Sequence, residues 1–165
     1  MQLYKWTGPQ DQAEALVESL SNAQFTYLKN DDETVLLYET DGGPGLKASE
    51  AYEVLNTVGD FADGHYAVFN NIPVADEGRE LFESRFQNRA GMVEKEPGFA
   101  AIRVLRPLDS DVYVILTLWE DKQSFIDWQQ SQAYGQAHAK RGTEEGIDKR
   151  PNIFPRSSFV TSYTK

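Results

Sequence analysis

Cysteine is absent from this chain of 165 residues, which excludes disulfides, thiolate metal sites and cysteine nucleophiles together. Histidine occurs only at His65 and His138, so any imidazole chemistry has two candidates. No long apolar run is present, and nothing is expected to span a membrane. Basic residues are outnumbered, giving a formal charge of −10, and nucleic-acid binding would need a concentrated basic surface instead. The start, Met1-Gln2-Leu3-Tyr4-Lys5-Trp6, has no basic segment leading into an apolar stretch. No secretory signal is read there, and a cytoplasmic location is expected. The G-x-S-x-G, H-E-x-x-H, P-loop and G-x-G-x-x-G patterns are all missing.

A hydrophobic content of 40%, with 12% aromatic residues, is enough to build a core. The N-terminal third reads as short elements: a strand over 2–6, a helix over 11–20, and a hairpin of 25–29 with 33–40 turning at Asn30-Asp31-Asp32. The stretch 48–58 is ambiguous, and a short helix followed by a strand at 52–57 is the favoured reading. A domain boundary is expected in the polar segment 60–64, dividing the chain into 1–62 and 63–165.

From His65 the pattern is cleaner. Strands are expected over 65–74, 99–105, 112–119 and 157–163. Helices are expected over 77–94, 122–130 and 133–140, and 141–155 reads as a polar, mobile loop. Leu81, Phe82, Phe86, Ala90 and Val93 share one face of the first helix. Strand–helix–strand–strand–helix–strand is the ferredoxin-like α+β order, and the N-terminal third approximates it with fewer residues. In 112–119, Val112, Val114, Leu116 and Leu118 alternate with the apolar Tyr113, Ile115 and Trp119. Both faces therefore need cover. Helices cover one; a second sheet, from the N-terminal third or another copy, must cover the other.

Three residues break the pattern. Alternation puts Tyr66, Val68, Asn70, Ile72 and Val74 on one strand face, with Asn70 the only amide, while Asn71 points the other way and reads as exposed. Read alone, Asn70 is satisfied by nearby backbone. His138, with Gly135 three residues earlier and flanked by Ala137 and Ala139, leaves room for a bulky planar group. Read alone, it is an exposed or capping histidine near a helix end. Trp128 shares a helical face with Phe125 and Ser124, the usual place of a core tryptophan.

Together these positions carry a resemblance. Phe69-Asn70-Asn71-Ile72, the run Glu83 to Arg89, Glu96-Pro97-Gly98-Phe99, Leu116-Thr117-Leu118-Trp119, and Lys122 through Trp128 into Ala137-His138 appear in order. Over residues 66–163 the chain resembles the heme-degrading monooxygenases of the iron-regulated surface determinant type, within the antibiotic-biosynthesis monooxygenase superfamily, here in a two-domain form. The resemblance implies a ferredoxin-like, dimeric α/β-barrel fold, built as an intrachain pseudo-dimer in which 1–62 replaces a second subunit and 63–165 is the heme-binding catalytic domain. A monomer is then expected, with a homodimer as the alternative.

It further implies heme as substrate and cofactor, O2, and electrons from an external reductase. Porphyrin opening at a meso carbon would release iron and an oxobilirubin-like linear tetrapyrrole. By the same resemblance His138 is the axial ligand of the heme iron, Asn70 a hydrogen-bond donor on the distal side, and Trp128 a wall against the porphyrin. Arg85 and Arg89 are candidates for the propionates, although solvated helix surface is the plainer reading of both. Three rivals stand beside this: a cofactor-free monooxygenase oxidising a quinol or polyketide, a heme carrier without turnover, and a non-enzymatic stress-responsive module of the same fold.

Overall fold

The computed structural model describes residues 1–20, 24–42, 45–47, 49–87, 93–131 and 153–165. Among them, eight strands and three α-helices run in the order β1 (Gln2–Gly8), α1 (Gln10–Glu18), β2 (Gln24–Lys29), β3 (Thr34–Thr40), β4 (Glu50–Gly59), β5 (Tyr66–Pro73), α2 (Arg79–Gln87), β6 (Phe99–Pro107), β7 (Val112–Trp119), α3 (Lys122–Gln129) and β8 (Phe159–Thr164). No described helix is long and apolar enough to cross a membrane.

The strands close into an antiparallel barrel in the order β1-β3-β2-β8-β5-β7-β6-β4. Cut at its two joints, the barrel yields β4-β1-β3-β2 and β8-β5-β7-β6. Each half has its fourth strand beside its first, then its third, then its second, the ferredoxin-like order. The joints are reciprocal too, each pairing one half's second strand with the other's fourth. This topology is consistent with the expected pseudo-dimer.

The joints differ in strength. Seven residue pairs tie β4 to β6, whereas Lys29 opposite Thr164 is the one register pair joining β2 to β8. The core fills the barrel with side chains from every strand, among them Leu3, Leu28, Leu37, Tyr52, Phe69, Leu105, Leu116 and Tyr163. β7 thus finds both of its covers. Val114, Leu116 and Leu118 meet the N-terminal strands inside the barrel, while Tyr113 and Trp119 pack outside in the clusters that include α2 and α3 residues. The second sheet comes from the same chain.

One charge pair crosses this interior. Arg103 of β6 places Nε 2.8 Å and Nη2 3.3 Å from the two carboxylate oxygens of Glu39 on β3. Its remaining donors reach the carbonyls of Val58, Ile102 and Gly59, and its guanidinium lies 4.7 Å from the centre of the Phe61 ring. All five guanidinium donors are used, the condition under which a buried charge is tolerated. The pair joins one half of the barrel to the other.

Four expectations need correction. The stretch read as helix then strand is the single strand β4, because its backbone pairs with β1 on one side and β6 on the other. Leu55 is the extra residue of a bulge there, turned outward while Tyr52 and Val54 face the core, which disrupts period-two alternation. The helix expected over 77–94 begins at Arg79 after a 3₁₀ turn (Asp76–Gly78), and Val93 and Glu94 lie in a turn before Pro97. Val93 packs with the aromatic cluster of α3 rather than with Phe82 and Phe86. The segment read as a mobile loop over 141–155 ends in buried structure: Ile153 is 6% exposed, and its carbonyl accepts the Ala75 amide at 2.7 Å. Asn71, read as exposed, is buried, because its face of β5 is the barrel interior. The helix expected over 133–140 and residues 132–152 generally lie outside the described residues.

Candidate functional site

Asn70 stands where sequence alternation places it, on the outer face of β5. It pairs with Ile115 of β7 on one side and Val160 of β8 on the other. Directly opposed residues of antiparallel strands share a face, so Ile115, Asn70 and Val160 form one row across three strands. Tyr66 and Val68, on one side of that row, pack with Trp119, Phe99, Phe125 and Trp128. Ile72, on the other side, packs with Phe82, Phe86, Tyr113 and Ile153. Neither cluster includes the row, and Val160 is 61% exposed. Asn70 is half-buried there, and its amide makes no side-chain hydrogen bond among the described residues. A polar group on an apolar bed between two aromatic walls suits a ligand that is flat, largely apolar and able to accept one hydrogen bond.

Trp128 forms part of the first wall. Its ring lies 5.4 Å from that of Trp119 and 6.1 Å from that of Phe125. α3 is positioned at its start, where Asp121 accepts the Ser124 amide at 2.8 Å, an N-cap from a carboxylate at the positive end of the helix. That interaction holds the Asp121 carboxyl below its ordinary pKa. The Glu96-Pro97-Gly98-Phe99 run has a structural reason. Gly98 adopts φ +82°, accepts the Glu120 amide at 2.7 Å through its carbonyl, and has Ser124 Oγ 2.1 Å from where a Cβ would stand. The turn and the helix carrying Trp128 are thereby locked together. Arg85 is half-buried on α2. His138 and Arg89 lie outside the described residues, so of the five expected site residues Asn70 and Trp128 are the pair seen beside one apolar face.

The sequence reading missed a polar network under α2. The Tyr113 phenol and Arg106 both donate to Glu83, with Arg106 Nε 2.9 Å from Oε2, and Arg79 lies 5.5 Å from the centre of the Tyr113 ring. Hydrogen bonding from Arg106 is the main cause that lowers the Glu83 pKa; burial pushes Tyr113 up to about 12. The network clamps α2 to β6 and β7. Two glutamates of α2, Glu80 and Glu83, offered no sign of which would face the sheet.

Also missed was the role of Asn71. It is 6% exposed, and its Nδ2 reaches the carbonyls of Phe69 and Phe159 and the Thr161 hydroxyl at 3.1–3.2 Å. It stitches β8 to β5 from inside the barrel. Among the described residues no group of three or more acidic or histidine side chains could hold a metal ion.

The fold is that of a ferredoxin-like α+β barrel, and its C-terminal portion is similar in sequence to one family. Residues 65–140 match the family model described as antibiotic biosynthesis monooxygenase. The signal transduction protein TRAP of Staphylococcus aureus is 28% identical over 109 residues, covering 66% of this chain. The match spans 65% of that protein's length. A heme-degrading monooxygenase of Listeria monocytogenes is 22% identical over 125 residues, or 76% of this chain and 75% of that one. The solved structure of a major regulator of staphylococcal pathogenesis shares the fold over 99% of this chain and 98% of its own, with a TM-score of 0.83 at 23% identity.

Proposed function

We propose that this chain binds heme on the outer face of β5, β7 and β8 and degrades it oxidatively. The observation that carries the reading is the Asn70 amide, without a side-chain partner among the described residues, on an apolar row between two aromatic clusters. The likeness to the Listeria enzyme supports it. When bound, heme supplies the iron chemistry that consumes O2 and electrons from an external reductase. Asn70 would donate its N–H to the bound group, a donor held by a rigid strand and needing no reorganisation. Trp128, backed by Trp119, would stand against the porphyrin as part of the first aromatic wall. His138 holds the iron and Arg85 and Arg89 the propionates. Iron and an oxobilirubin-like linear tetrapyrrole are the products.

In this reading residues 63–165 are the catalytic domain and 1–62 stand in for a second subunit, so the working form is a monomer in the cytoplasm. Heme titration of the purified protein tests the proposal. A Soret band should form, then decay with iron release when ascorbate is added in air. His138→Ala should weaken ligation and abolish decay. A Soret band that persists marks a carrier. None at all leaves the cofactor-free quinol or polyketide monooxygenase, or a non-catalytic regulator. The regulator is the second reading, supported by the staphylococcal protein's higher identity.

A further inference from the structure

The barrel interior opens at one end, on the side of the wall opposite the proposed heme site. The Arg103–Glu39 pair closes the interior near Gly59, where β4 ends. Near Tyr52, close to the start of β4, the interior instead opens into a cavity of about 400 Å³. Lys5, Glu33, Glu50, Asn71, Phe159 and Tyr163 are among its walls.

Three features of the wall point to an occupant. Asn71 is more than nine-tenths buried, and its Nδ2 is committed to three acceptors. This sets the amide's orientation and leaves Oδ1 with no donor among the described residues. The Lys5 ammonium stands 4.9 Å from the centre of the Phe69 ring and 5.9 Å from that of Tyr163, yet makes no ion pair among the described residues. Glu33 and Glu50 each accept one phenol, from Tyr163 at 2.6 Å and Tyr52 at 2.8 Å, and keep further acceptor capacity.

Lys5, which faces Glu50 across β1 and β4 without reaching ion-pair distance, an amide oxygen lacking its donor, and the carboxylates of Glu33 and Glu50, with Asp109 also on the wall, are the complement of a zwitterion. The ring of Phe159, 52% exposed, offers an apolar surface beside them. The volume lies toward the lower end of the roughly 300–1,000 Å³ typical of small-molecule sites. We propose that this cavity binds a free amino acid with an apolar or aromatic side chain. Its carboxylate rests on Lys5, and its ammonium faces Asn71 Oδ1, Glu33 and Glu50. The site is independent of heme, since Asn70 and Asn71 face opposite sides of β5.

Calorimetric titration of the full chain without heme tests this, using L-phenylalanine and L-leucine as probes. Phenylpropionate, lacking the ammonium, and phenethylamine, lacking the carboxylate, serve as comparisons. An amino acid should bind at one site, with each comparison at least about tenfold weaker. Lys5→Met should lose about tenfold for L-phenylalanine and leave phenethylamine and heme binding unchanged. Should that variant not fold, the Asn71 side-chain amide resonances of the unaltered protein must shift on adding the amino acid. Failure of both amino acids to bind, a comparison compound binding as tightly, unaltered affinity in Lys5→Met, or unmoved Asn71 resonances would each overturn the proposal.

Discussion

Asn70 and Asn71 are consecutive in the chain and stand on opposite surfaces of the barrel wall. The amide of Asn70 faces outward without a side-chain partner among the described residues, while that of Asn71 faces inward and bonds three acceptors, two of them on β8. Successive strand residues alternate between faces, so two identical side chains acquire unrelated roles.

Their alanine variants should therefore differ. Asn71→Ala should cost about 1–3 kcal/mol in urea unfolding, because buried acceptors lose their donor. Asn70→Ala should remain within about 0.5 kcal/mol of the parent, having no side-chain bond to lose. In the heme assay Asn70→Ala should still form a Soret band but lose degradation; turnover at the parent rate would refute a distal role for this amide.

Removing one member of the Arg103–Glu39 pair should be more damaging than either. Glu39→Leu alone strands a guanidinium that is 2% exposed, at a cost of about 3–5 kcal/mol. The double variant Arg103→Met with Glu39→Leu should recover much of that loss. Equal instability of the single and double variants would show that the pair does not act as a unit.

Gly98→Ala should loosen α3. A methyl group at φ +82° is strained and would meet Ser124 Oγ, so a loss of about 1–3 kcal/mol is expected. Because Trp128 travels with α3, tryptophan fluorescence should change along with the melting temperature. A stable variant with altered fluorescence would separate positioning from stability.

The network under α2 predicts losses at both ends of the pH scale. Glu83 has a lowered folded pKa, so its contribution is present above the ordinary value of 4.5 and disappears as pH falls through the folded value. Glu83→Gln should flatten the acid limb of the stability curve. Tyr113 is raised from 10.0 to about 12, so its contribution is full below pH 10.0 and is lost as pH rises toward 12. Tyr113→Phe should flatten the alkaline limb. Unchanged limbs in both variants would remove the network from the account of stability.

If the N-terminal strands replace a second subunit, light scattering should report a mass near 18.7 kDa. A clean dimer would reject the replacement.

Local periodicity was sufficient for much of the architecture. The bounds of β7 match its alternation, and its two apolar faces already required two covering layers. Asn70 stood out for the same reason, as the one amide in a row of apolar residues. Periodicity failed where residues distant in sequence set the outcome. β4 is a strand through its whole length because β1 and β6 take its backbone groups, although its bulge resembles helical spacing locally. Glu39 is buried because Arg103, 64 residues away, satisfies it, and Asn71 because acceptors up to 90 residues away do so.

Residue order alone specifies which segments alternate as strands, where glycine and proline interrupt them, and that one sheet face needs a cover. It takes the folded barrel to show that the chain supplies that cover itself, and that one asparagine turns outward and the next into a polar cavity. The reason is physical: alternation fixes which side a residue takes, but not whether water, a ring or a carboxylate waits there. That is settled by strands brought together from opposite ends of the chain.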